Sequence, residues 1–367
     1  MHRNIKICEW SKSVKKILPF GTPLFGQNPD DALFMSIVDA YDKYELLINS
    51  FSYTAATKFV DKGRVFYDAH VKADIPFIHE MKQKYMEIKP KDIITFIENT
   101  INDGKYILMD LDWVKIAYLQ MDEFTYIPHP VSIWGIDSTQ SIMYLADFID
   151  DQKYTVFKAT YQEVENAYSS VLEKMNKQFN QSLSIAIYEV FPFDNNGEVS
   201  KWINQIEEFL NAEQIWDESI FKSTAITKVS DGGEYYSAPI LRKDFGIDVL
   251  KGIVEHLESC IADEEVYIYE KKNMYLLYLL SLILVKKVEI VVKMGEMNTI
   301  KEELREIESQ SIQLSQLAKR IHLINIKYLV VGDKTILTIL LKKVKEWLPM
   351  YVSILKKIQI IFSCFSK

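Results

Sequence analysis

Hydrophobic and polar positions change their rhythm once along this chain, near residue 195. Before that point short apolar runs alternate with amphipathic stretches. Residues 1 to 27 are broken by Pro19, Gly21, Pro23 and Gly26 and predict irregular backbone. Asn28-Pro29-Asp30-Asp31 then has the composition of a helix start: a capping residue, a proline in the first turn, and acids against the positive end of the dipole. That helix is expected to run to about Tyr44. Ile48 to Ala56 fits a helical continuation or a short strand, and Phe66 to Ile78 has no clear period. Pro90 opens a second helix with Ile93, Ile94, Ile97 and Ile101 on one face, closed by Asn102-Asp103-Gly104. Tyr106 to Asp112 reads as a strand. Val131 to Ile136 and Ile142 to Phe148, joined by Asp137 to Ser141, read as a hairpin. Glu163 to Met175 is a helix, and Ser184 to Phe191 a strand.

After the turn-forming run 192–197 the period becomes 3.6 residues. Segments 198–212, 246–262, 270–294, 296–325 and 334–363 are patterned as helices. In the fourth, Ile300, Leu304, Ile307, Leu314, Leu317 and Ile321 make one stripe. Heptads do not persist, so the stripe predicts a core face rather than a coiled-coil seam. The fold class expected is α+β: a domain over residues 1–195 whose antiparallel sheet packs on the 28–44 helix, then a mostly helical domain over 196–367.

Length supports two domains, since 367 residues exceed what one core usually holds. A hydrophobic fraction of 48% suffices for two cores, and only 12 glycines and 10 prolines argue against low-complexity segments. The net charge of −8 leaves no basic field for nucleic acid. The most apolar run, Met274 to Val285, is too short to cross a bilayer and is followed by Lys286-Lys287. The first residues lack the apolar segment of a secretory signal. A cytoplasmic protein without a transmembrane segment is the expectation.

The three cysteines, Cys8, Cys260 and Cys364, are too scattered for a disulfide framework or a zinc knuckle and suit a reducing compartment. Neither a phosphate loop, a dinucleotide fingerprint nor a Gly-x-Ser-x-Gly elbow is present. His70 and His79 lack ligand-spaced partners, so no metal or cofactor is expected. Asp110 and Asp112 alternate along a strand and would share a face, as an acidic site or, more simply, a solvated one. The stretch from His129 to Asp137 and the run Leu145-Ala146-Asp147-Phe148 carry the candidate chemistry. If the hairpin pairs Ile136 with Ile142, His129 lies opposite Ile149, and Asp147 becomes its diagonal neighbour on the same face. A carboxylate there would fix the imidazole's tautomer and stabilise its charged form. A register slip of one residue would separate the two. The simpler alternative is a structural histidine at a strand start and a turn-forming aspartate.

Asp103-Gly104-Lys105-Tyr106-Ile107-Leu108, His129 through Asp137, Tyr144 through Phe148, Lys153-Tyr154 and Glu163 to Tyr168 together resemble one family. It is the butirosin-biosynthesis-protein-H N-terminal-like domains of bacterial specialised-metabolite clusters. The Asp244-Phe245-Gly246-Ile247-Asp248 segment resembles the start of that family's helical half, so the resemblance spans roughly residues 20 to 260. It implies a papain-like fold, related to double-glycine-leader peptidases. It also implies transfer of an acyl or aminoacyl group from an acyl or peptidyl carrier protein to an amine, small molecule or peptide, through a Cys-His-Asp triad. His129 maps to the base and Asp147 to the orienting acid. The nucleophile does not map, because the first helix starts Asn28-Pro29-Asp30-Asp31, where that fold places its cysteine. Cys8 is the only N-terminal thiol and the remaining candidate, although Glu9 beside it disfavours a thiolate. Two readings follow: a thiotemplate acyltransferase, and a pseudoenzyme of the same fold that binds a carrier protein, peptide or metabolite.

Overall fold

The computed structural model describes residues 15–26, 28–50, 53–72, 78–84, 88–120, 127–149, 153–178, 184–190, 198–212, 225–229, 235–262, 270–293 and 301–363. In chain order the elements begin with β1 (Lys15–Ile17), α1 (Pro29–Ala40), β2 (Tyr53–Asp61), β3 (Arg64–Lys72) and β4 (Ile78–Lys84). Next come α2 (Ile93–Asn102), β5 (Tyr106–Asp112), β6 (Pro128–Asp137), β7 (Ile142–Ile149), β8 (Lys153–Thr160), α3 (Tyr161–Gln178) and β9 (Ser184–Val190). The chain continues through α4 (Val199–Leu210), β10 (Ala225–Val229), β11 (Tyr235–Phe245), α5 (Ile247–Ala262), α6 (Glu270–Lys293), α7 (Lys301–Val331) and α8 (Lys334–Ser363). The protein is therefore mixed α/β with antiparallel sheets and a helical C-terminal region.

The chain forms two compact units. One comprises Met1–Phe20, Ile78–Val190 and Asp231–Gly233; the other comprises Gly21–Phe77, Phe191–Ser230 and Glu234–Lys367. The division is not the two consecutive stretches expected: the chain crosses between units at 190/191, and residues 21–77, α1 included, group with the later segments. Local pattern could not show this, because which segments share a core is a matter of long-range contact.

The first unit is built on a seven-stranded sheet in the order β4-β9-β5-β6-β7-β8, with β1 added against β6. Every pairing is antiparallel. Its helical cover is α2 and α3 rather than the 28–44 helix expected from sequence. Ile93, Ile97 and Ile101 of α2 and Val164, Ala167, Tyr168 and Val171 of α3 are buried at helical spacing. The start of α3 is a capping box. Thr160 Oγ1 accepts from Glu163 N, while Glu163 Oε2 accepts from Thr160 N at 2.6 Å.

The second unit holds a four-stranded antiparallel sheet, β10-β11-β2-β3, together with α1 and α4 to α8. Of the β2–β3 hairpin the sequence pattern offers only the start of β2, as the short-strand alternative for Ile48 to Ala56. Their turn is Lys62-Gly63, both at positive φ (48° and 78°), the geometry of a two-residue hairpin. Beyond 195 the chain is mostly helical, as expected, with β10 and β11 as strands that the helical patterning does not predict. Tyr67 joins this sheet to α5: its hydroxyl donates to Asp244 Oδ2 at 2.7 Å, and a Cβ on Gly252 would collide with it. The helix patterned over 270–294 is α6, which runs through Lys286-Lys287 to Lys293.

Candidate active site

β6 is the strand from which the site is built. It lies between β5 and β7, with Leu111 opposite His129 on one side and Ser132 opposite Ala146 on the other. Nearest the turn the register is Asp137↔Ile142, Ile136↔Met143, Gly135↔Tyr144, one residue away from the Ile136–Ile142 pairing expected. The cause is Asp137, which stays in the strand and whose carboxylate accepts from Thr139 Oγ1 and Gln140 N to hold the turn. Carried straight on, this register would set Asp147 opposite Ser132, on the face away from His129.

A β-bulge at Trp134 corrects it. Beyond that residue the pairs are Ile133↔Leu145 and Ser132↔Ala146. In this register Val131 faces Asp147 and His129 faces Ile149, so His129 and Asp147 share a face after all. The extra residue is anchored: the Trp134 ring stacks on Phe20 at 4.8 Å, and its carbonyl accepts from Leu18 N at 2.9 Å.

His129 Nδ1 and Asp147 Oδ2 are 2.7 Å apart. Asp147 is fully buried, and the His129 side chain is 32% exposed. The same Oδ2 accepts from the indole Nε1 of Trp113 at 2.9 Å, and Oδ1 accepts from Phe148 N at 2.7 Å. An indole N–H and a backbone N–H can only donate, so both carboxylate oxygens act as acceptors. With Asp147 ionised, the shared hydrogen sits on Nδ1 and Nε2 is the ring nitrogen left to act as a base. Burial raises the Asp147 carboxyl above the usual range near 3.8, while the bonds from His129, Phe148 and Trp113 pull it back.

Trp113 was not singled out by the sequence, and it completes the site. Its ring lies against the imidazole, centroids 4.3 Å apart. It opens a 3-10 turn capped by Asp112, which accepts from Val114 N at 3.3 Å. Asp112 also accepts from Ile127 N at 3.2 Å and from Ser170 Oγ at 2.6 Å. This carboxylate is 2% exposed, so it fixes a loop and is no part of a solvated acidic face. The available signal was an aspartate and a tryptophan at a strand end, the composition of a capped turn. Glu163, already the partner of Thr160, reaches the same loop by accepting from Ala117 N at 2.9 Å. Burial acts to raise its pKa, but the Thr160 and Ala117 bonds outweigh burial and lower it.

No family model matches the chain, and no curated protein matches it.

The remaining candidates fall elsewhere. Cys8, Cys364 and the His79 side chain lie outside the described residues. Cys260 is on α5 in the second unit, buried, with its thiol pushed up to about 12 by that burial; it is a packing residue. His70 is on β3 of the same unit. At the start of α1, Asn28 Oδ1 caps the helix by accepting from Asp31 N at 3.0 Å, and Asp31 is buried. That helix belongs to the second unit, so the site assembled here is wholly that of the first. Among the described residues no three His, Cys, Asp or Glu side chains group as metal ligands, and no helix is long and apolar enough to cross a membrane.

Proposed function

We propose that His129, oriented by Asp147 and Trp113, is the general base of an acyl or aminoacyl transfer from a carrier-protein thioester to an amine. The observation that carries the reading is the 2.7 Å contact of Nδ1 with a buried carboxylate that also accepts from Trp113 Nε1 and Phe148 N. Such a pair leaves Nε2 as the basic nitrogen and steadies the imidazolium that forms when it takes a proton. In the step envisaged, the amine nitrogen attacks the thioester carbonyl and the C–N bond forms. Nε2 accepts the proton shed by that nitrogen, the C–S bond breaks, and the proton passes to the departing thiolate. The resemblance to papain-like transferases of natural-product biosynthesis supports the same reading, with the protein acting in the cytoplasm.

The second reading keeps the fold and abandons turnover: the surface around His129 binds a carrier protein, a peptide or a metabolite. It is favoured by the resemblance itself, which would put the nucleophile at the start of the first helix, where this sequence has Asn28-Pro29-Asp30-Asp31, and by Cys260, a buried packing residue, being the only cysteine among the described residues. An acyl N-acetylcysteamine thioester with a simple primary amine separates the two. Amide formation with thiol release that is lost in His129→Ala supports the transferase. Rates equal to buffer in both proteins leave the binding module.

A further inference from the structure

The turn between α7 and α8 carries apolar residues where a helix end in water calls for polar ones. Residues 329–335 are exposed without a break, and they open with Leu329, Val330 and Val331. Val330 is 80% exposed and Val331 58%. Gly332 closes α7 at a φ of 72°, its N–H donating to Tyr328 O at 2.7 Å, and Asp333 caps α8 by accepting from Thr335 N at 2.8 Å. A Cβ added at Gly332 would meet nothing within 4 Å, so the turn is an open convex tip and not one wall of a groove. Leu323 on α7 and Ile339 on α8, both more than half exposed, extend the apolar surface back from it. Charge around the tip has one sign. From residue 319 to 342 the chain has five exposed bases, Lys319, Arg320, Lys327, Lys334 and Lys342, against a single acid, Asp333, in a protein of net charge −8.

We propose that this tip docks the protein on an anionic phospholipid bilayer, with the apolar residues entering the interface and the bases meeting the headgroups. The spacing along the helices fits in depth. At a rise of about 1.5 Å per residue, Lys327 stands about 6 Å behind Val331, Lys342 about 12 Å behind the start of α8, and Lys319 and Arg320 roughly 17 Å back. A tip that enters by about 5–10 Å sets Lys327 and Lys334 among the headgroups and brings the other three within about a Debye length of the surface. Each base so placed favours the bound state roughly fivefold. A protein partner fits less well, because lysine is depleted in protein interfaces and these apolar residues form a knob ringed by it. No helix among the described residues is long and apolar enough to cross a membrane, so the contact is with the bilayer surface. The tip belongs to the second unit and does not depend on the reading of the site on β6.

Co-sedimentation of the full chain with vesicles of phosphatidylcholine alone, and of phosphatidylcholine mixed equally with phosphatidylglycerol, tests this. The protein is expected to pellet with the anionic vesicles, to stay in solution with the neutral ones, and to be released from the former by molar salt. Val330→Asp should lower partitioning at least about tenfold, and Lys327→Glu by a similar factor, since a charge reversal counts twice. Ile360→Asp, at an exposed apolar position toward the far end of α8, should leave binding unchanged. Absence of binding to anionic vesicles, read on the unaltered chain, would overturn the proposal, as would binding that Val330→Asp and Lys327→Glu leave intact. A dimer in solution that Val330→Asp dissociates, without vesicle binding, would overturn it in favour of self-association through the tip.

Discussion

Trp113 Nε1 donates to Asp147 Oδ2, the same oxygen that His129 Nδ1 engages, at 2.9 Å and 2.7 Å respectively. One oxygen thus serves two rings that also lie against each other. The tryptophan's N–H favours the ionised form of the acid against burial, and the ionised acid orients the base.

Replacing Asp147 with Asn removes that control. An amide presents N–H as well as oxygen, and Trp113, Phe148 and Nδ1–H all demand an acceptor. The His129 tautomer is expected to invert, with transfer activity falling roughly 10³- to 10⁴-fold, as when a triad aspartate is made amide. In proton NMR the downfield Nδ1–H signal of His129 should disappear with it. A retained signal with lost activity would assign Asp147 another role.

Trp113→Phe keeps a ring against His129 but deletes the indole donor. The loss of one hydrogen bond to a buried carboxylate should cost about 1.5–3 kcal/mol in denaturant unfolding. Activity should fall while Asp112→Asn, which loosens the same turn from outside, lowers it less. Wild-type activity in Trp113→Phe would reduce the indole N–H to a bystander.

Trp134→Ala removes the stacking that anchors the bulge. A loss of roughly 1–3 kcal/mol is expected from the missing ring. The His129 Nδ1–H signal should broaden, because the slipped register puts Asp147 on the other face. A sharp, unshifted signal would mean that other contacts hold the bulge.

Lys287 sets a pH dependence in the second unit. Its pKa is about 7 when folded and 10.5 ordinarily, so between these values the unfolded chain binds a proton that the folded chain has released. Stability therefore rises with pH across that window, and the full cost of the buried charge applies below pH 7. The Trp202 ring offsets part of that cost, but burial prevails. Lys287→Met should stabilise by something on the order of 3–5 kcal/mol at pH 6, with the gain fading toward pH 10. Urea titrations at the two pH values measure it; a gain independent of pH would reject the assignment.

Cys8 can be tested against the same frame. Lys15 pairs with Asp137, and the seven residues from Cys8 to Lys15 reach at most about 25 Å. Asp137 is itself roughly 26 Å along β6 from His129. A Cys8–His129 pair therefore demands nearly extended chain running back along the strand. Labelling by iodoacetamide is expected to be slow and unchanged in His129→Ala; rapid, His129-dependent labelling would restore a Cys8-His129-Asp147 triad.

The amino-acid pattern by itself determined the antiparallel strands around Tyr106 to Phe148, the capped helix at Asn28, the helical run after 198 and the candidacy of His129 with Asp147. These rest on periods of two and 3.6 residues and on capping chemistry, which are local. Tertiary structure alone decided the rest. The turn register at Asp137 is off by one, and only the bulge at Trp134, held by Phe20 and Leu18 from another part of the chain, returns His129 and Asp147 to one face. Trp113 joins them because Ser170 and Ile127 pin Asp112 from distant positions. Lys287 likewise reads as the end of an apolar run until α4 and α8 close over it. Each of these outcomes depends on contacts between residues far apart in sequence, whose energies no local period encodes.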